Sequence, residues 1–138
     1  MTTLGLLGVV VCSCGSVDPG EQTLARWNRA PDAVVFGSEI HPLLLDTCGA
    51  SGCHGRDVPF RIHTASPLDP GSTITHPSEL PDPLQADYYT VMAYSDLDVE
   101  EQSRFLIWGN GQQPAHPGGK ALSADERTQV IQWLERTP

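Results

Sequence analysis

Three metal-capable side chains crowd into seven residues of this chain, Cys48-Gly49-Ala50-Ser51-Gly52-Cys53-His54, followed by Gly55. That cluster constrains the fold more than anything else in the sequence. The apolar residues are scattered, at 39% of 138 residues. A domain of this size with so thin a core usually leans on a staple, a metal or a cofactor. Gly and Pro, 13 and 12 residues, stay close to their background share, so the chain is neither collagen-like nor of low complexity. The expectation is a small all-α domain with long loops arranged around whatever the cluster holds.

Charge removes several classes of partner. Eight Lys and Arg stand against 17 Asp and Glu, a net charge of −9. So acidic a chain is a poor grip for a phosphate backbone, which excludes nucleic acid, and it carries no polybasic patch for anionic lipid. Between residues 79 and 101 lie Glu79, Asp82, Asp87, Asp96, Asp98, Glu100 and Glu101, with no Lys or Arg. Such a run is usually a solvated face, and it can also steer a basic protein partner.

The N-terminus reads as an export signal. Leu4 to Val11 is an apolar run too short to span a bilayer, and Val11-Cys12-Ser13-Cys14-Gly15 follows it. A small residue before a cysteine after such a run resembles a lipobox, with Cys14 as the lipidated residue and Cys12 the weaker choice. Met1-Thr2-Thr3 supplies no basic side chain, and the competing reading is a buried N-terminal strand. The expected organisation is residues 1–14 as signal peptide and lipobox, 15–35 as linker, and 36–138 as the folded domain. A lipid on Cys14 would hold the domain at a membrane surface, in the periplasm or on the outer membrane.

Hydrophobic spacing places the elements. A helix is predicted over Ser38 to Thr47, capped by Ser38, with Ile40, Leu43, Leu44 and Thr47 on one face and Pro42 in the first turn. Residues 56–83 are proline-rich and without helical period, a long loop of the kind that lines a ligand. Tyr88 to Tyr94 reads as helix or strand. Val99 to Trp108 reads as a helix with Glu100 and Glu101 in its first turn, ended by Gly109-Asn110-Gly111. The last helix opens on a capping box, Ser123 with Glu126, and carries Val130, Ile131, Trp133 and Leu134 as its stripe.

Four chemistries compete for Cys48-x4-Cys53-His54. Covalent haem attachment uses two thiols and an adjacent histidine, ordinarily as C-x-x-C-H. Here the gap is four residues, all small or flexible and able to bulge. A Cys48–Cys53 disulfide suits an oxidising compartment but leaves His54 unexplained. A structural zinc site would need one further histidine. A redox-active dithiol has the wrong spacing.

The order of motifs resembles the small cytochrome-c-like domains of exported proteins and lipoproteins, including the planctomycete-type cytochrome c domain. Phe36 through Pro42-Leu43-Leu44 stands where those domains have an aromatic residue and a "P-I-L" helix. Cys48, then Cys53-His54-Gly55, stands at their haem motif. Ser103-Arg104-Phe105-Leu106 matches "S-x-L-L", His116-Pro117-Gly118-Gly119 matches "H-G-G-G", and Trp133-Leu134 matches the closing "W-I". The likeness spans residues 36–138, and the x4 gap is its one departure.

The resemblance implies a monohaem c-type cytochrome that transfers single electrons outside the cytoplasm and is not an enzyme. The cofactor would be haem c with its iron. Cys48 and Cys53 would form the thioethers and His54 the proximal ligand. His116 would be the distal ligand, with Met92 as its rival and His63 or His76 behind them. Arg56 and Arg61 are candidates to pair with the propionates, and Trp108 and Trp133 to pack on the porphyrin or on each other. His41 is expected to pack or face solvent. The partner would be a redox protein, docking on the acidic 79–101 face. The alternative is a non-redox exported binding or structural lipoprotein with a Cys48–Cys53 disulfide.

Overall fold

The computed structural model describes residues 30–49, 60–109 and 120–136. Of these, 59% are helical, and no strand occurs among them, as an all-α reading requires. No helix among the described residues is long and apolar enough to cross a membrane.

The first helix starts earlier than its sequence pattern predicts. It runs through three contiguous segments: α1 (Ala33–Val35), a π-helical turn (Phe36–Ile40) and α2 (His41–Thr47). Its cap is Asp32, not Ser38. The Asp32 carboxylate accepts from the amides of Val34 and Val35 at 2.8 and 2.9 Å. Ser38 lies inside the helix and donates to the Val34 carbonyl at 2.7 Å. Pro42 is therefore mid-helix, where it has no N–H for the Ser38 carbonyl and would crowd it. The widened turn immediately before it, closed by the His41 amide on the Phe36 carbonyl, absorbs that conflict. Cys48 ends the helix, its amide 2.7 Å from the Leu44 carbonyl. Gly49 follows because nothing larger fits: a Cβ there would lie 2.7 Å from the Leu45 carbonyl oxygen.

Residues 60–76 form the expected loop, without regular structure, and a short 3-10 turn (Pro77–Glu79) closes it. The loop is tied down rather than draped. Phe60 and Ile62 are buried, and the Leu68 amide donates to the Gly37 carbonyl at 3.0 Å. The absence of a side chain on Gly37 permits that approach, since a Cβ would meet Leu68 Cβ at 2.9 Å.

α3 (Asp82–Ala93) settles the helix-or-strand ambiguity at Tyr88 and begins six residues earlier. Asp82 and Pro83 occupy its first turn, where an acid and a proline are both favoured. Leu84, Asp87, Tyr88 and Val91 form its buried stripe. The helix expected over Val99 to Trp108 is two elements instead, a 3-10 turn (Glu100–Gln102) and α4 (Arg104–Gly109). The break is at Ser103, which is fully buried and accepts from the Asp96 amide through its hydroxyl at 2.9 Å. Making that contact takes its backbone out of the helical region. α5 (Ala124–Glu135) has the expected cap, with the Glu126 amide on Ser123 Oγ at 3.2 Å and the Ser123 amide on Glu126 Oε2 at 2.7 Å.

Three rings centre the core. Phe36 meets Tyr88 edge-on at 5.1 Å and Trp133 at 5.4 Å, and Tyr88 meets Trp133 at 6.0 Å. Pairs of this kind contribute about 0.5–1.5 kcal/mol each beyond the area they bury. Their polar tips are satisfied on one short segment. Tyr88 donates to the Pro31 carbonyl at 2.6 Å and Trp133 Nε1 to the Asp32 carbonyl at 2.9 Å. The start of the first helix is thus held from α3 and α5 together. A second aromatic group, Phe60 with Tyr94 and Phe105, joins the loop to the far end of α3 and to α4.

Candidate functional site

The stripe on α3 contains a carboxylate where an apolar residue would ordinarily stand. Asp87 has no solvent exposure, and a bare charge there would cost several kcal/mol. Three donors compensate it. The His63 amide and His41 Nε2 reach Oδ2 at 2.7 and 2.9 Å, and His63 Nδ1 reaches Oδ1 at 2.5 Å. α2 therefore supplies His41, α3 supplies Asp87, and the loop wraps His63 around the acid by backbone and ring together.

These contacts fix both imidazole tautomers. His41 Nε2 also lies 3.1 Å from the His63 carbonyl, so it faces two acceptors and carries the proton. His41 is entirely buried, and its Nδ1 has no hydrogen-bond partner among the described residues. His63 meets the carboxylate through Nδ1, so in the neutral ring the lone pair belongs to Nε2, on a side chain one-third exposed (34%). Both rings thus spend a proton on Asp87, so the three groups do not aim lone pairs at a common point and do not themselves make a metal cage.

His63 opens onto a cleft of about 600 Å³. One wall is Arg61, Ile62, His63 and Thr64; another is Asp82, Pro83 and Ala86 at the start of α3; Gly49 closes it from the end of α2. Cys48 is the neighbour of that glycine. It is half-buried, packs against the core, and its sulfur lies 3.5 Å from Thr47 Oγ1. The first cysteine of the motif, a guanidinium-bearing side chain and an imidazole with a lone pair are brought to one region of the molecule.

The remaining expectations divide. Cys53, His54, Arg56, His116 and the Cys12–Cys14 signal lie outside the described residues. Met92 is half-buried and packs against the core. His76 is exposed and serves as a cap, its Nδ1 accepting from the Ser78 amide at 3.2 Å. His41, expected to pack or face solvent, is buried and hydrogen-bonded. Trp133 belongs to the central ring cluster, whereas Trp108 is exposed beneath the Arg104 guanidinium at 5.5 Å. They take different environments rather than packing as a pair. The acidic face loses one member, because Asp87 points inward. Glu79 and Asp96 instead order their own turns, accepting from the amides of Thr75 and His76 and of Asp98 and Val99, and those bonds hold both carboxyls below their usual range.

Sequence reasoning missed the pairing of Asp87 with His41 and His63. A signal was present: in Leu84-x-x-Asp87-Tyr88-x-x-Val91 the acid falls on the i, i+3, i+4, i+7 face. A charge on a core stripe demands a partner. No protein-family model, no curated protein and no solved structure matches this chain.

Proposed function

We propose that the chain is an exported, lipid-anchored monohaem c-type cytochrome that passes single electrons rather than transforming a substrate. The observation that carries this reading is the placement of Cys48. It caps a helix embedded in the core, beside a cleft, and Cys53 and His54 follow within six residues. The chemistry of the donor set suits the group. Cys48 carries a thiol, His63 an imidazole, and Arg61 a guanidinium on the wall of the same cleft, the residue types that a haem with its propionates calls for.

Each residue then has a defined task. Cys48 and Cys53 would hold the haem covalently through their thiols. His54, next to Cys53 in the sequence, would supply an imidazole to the iron. For the second iron ligand the resemblance names His116, with Met92 as its rival. A haem held this way supplies a centre that accepts one electron from a donor and yields it to an acceptor. The exposed acids of the 79–101 segment draw in a basic redox partner, and Cys14 carries the membrane anchor.

The test is expression of the mature chain in a bacterial periplasm with cytochrome c maturation machinery, followed by SDS denaturation and a stain for covalent haem. A red protein that keeps its haem through denaturation is expected. A colourless protein with Cys48 joined to Cys53 overturns the reading in favour of a disulfide-stapled binding lipoprotein.

A further inference from the structure

The cleft offers an iron ligand that the motif order did not select. We infer that His63, through Nε2, is the second protein ligand to the iron, with Asp87 as its positioning residue and His41 bracing Asp87. This inference rests on the haem reading above.

Three observations lead to it. The first is the tautomer. Asp87 holds the His63 proton on Nδ1, so Nε2 is the ligating nitrogen without any rearrangement. The second is rigidity. His63 sits in a loop with no regular structure, yet Asp87 grips its amide and its ring at once, while its carbonyl faces His41 Nε2. A tether alone would need only the amide bond. Binding the ring as well fixes the direction of Nε2, which is the usual arrangement behind a metal-bound histidine, a carboxylate on the far nitrogen. The third is position. The same cleft is bounded by Gly49, one residue past Cys48 and inside the attachment segment. His41 cannot take this role, since its Nε2 is spent on Asp87 and the whole ring is buried. His76 is spent on its own turn, and Met92 packs on the core.

The experiment uses the haem-loaded protein and reads ligation by ferric absorption and electron paramagnetic resonance. His63→Asn is the informative variant, because its amide keeps a donor at the Nδ1 position for Asp87 and deletes Nε2. His63→Ala and His116→Ala accompany it. The expected result is a low-spin ferric wild type that stays low-spin in His116→Ala. It turns high-spin in both His63 variants, with covalent haem content unchanged. Added imidazole should restore the low-spin signal in His63→Asn and bind there more tightly than to wild type. Asp87→Asn should leave haem attached but make ligation easier to displace by imidazole. The amide donates to His63 Nδ1 and favours a proton on Nε2.

Low-spin spectra retained in His63→Asn and lost in His116→Ala overturn this inference and leave the cytochrome reading standing. A wild type without covalent haem overturns both.

Discussion

Removing the Asp87 carboxylate tests the centre of the structure. In Asp87→Ala three donors lose their acceptor at once. His63 Nδ1 belongs to a partly exposed ring and can turn to water, and His41 Nε2 keeps the His63 carbonyl at 3.1 Å. The His63 amide is left without its acceptor, a loss of about 1–3 kcal/mol, and the weakened His41 contact adds about 1 kcal/mol. The sum agrees with the ~3–5 kcal/mol typical of breaking a buried ionic pair from one side. Relief of the carboxylate's own desolvation works in the opposite direction, so about 3 kcal/mol is expected. That is a large part of the roughly 5–15 kcal/mol available to a domain. Asp87→Asn should cost about 1–2 kcal/mol, because its carbonyl can still take the His63 amide and His41 Nε2. Its NH2 group is matched by a switch of the His63 tautomer. Urea unfolding followed by circular dichroism, at unchanged m-value, measures both. A loss under about 1 kcal/mol for alanine, or equal losses for the two variants, would refute the reasoning.

Three further outcomes follow from the packing. Trp133→Ala empties the middle of the ring cluster and frees the Asp32 carbonyl, and should lower stability by about 3–5 kcal/mol in the same assay. Gly37→Ala places a methyl 2.9 Å from Leu68 Cβ, and should cost about 1–3 kcal/mol and raise proteolysis within residues 64–72. Burial pushes the Tyr88 hydroxyl far above its ordinary value, with the charges of Tyr89 and Asp32 adding to the effect. A raised folded value keeps this contribution whole below about pH 10. Above that pH the unfolded chain gives up its proton first, and stability falls as pH rises. Alkaline titration at 295 nm should show one of the three tyrosines ionising only as the protein unfolds.

What was legible in the sequence was local. Ser123 and Glu126 announce α5 because a capping box is read within four residues, and its stripe fell where expected. The first helix was visible from its apolar face, but its start was not. Pro31-Asp32 looks like a breaker, whereas the aspartate is the cap. The π turn before Pro42 follows no 3.6-residue period. The Val99–Trp108 pattern was apolar enough for one helix, and only the burial of the Ser103 hydroxyl divides it. The site divides the same way. Cys48-x4-Cys53-His54 is a contiguous signal, so it could be read directly. Asp87 joins partners 24 and 46 residues away, and among seven acids its neighbours made it look like part of a solvated face.

The Asp87 junction also sets the order in which the domain can open. Its three arms come from segments that have little reason to meet until the first helix and α3 are already side by side. The loop around His63 should therefore close last and, once closed, lose the independence that irregular segments usually keep. In hydrogen exchange the His63 amide should behave as a core proton, exchanging with the Phe36, Tyr88 and Trp133 neighbourhood rather than with the exposed turn at residues 69–72. A connection without regular structure would then share the cooperative unit of the helices it joins.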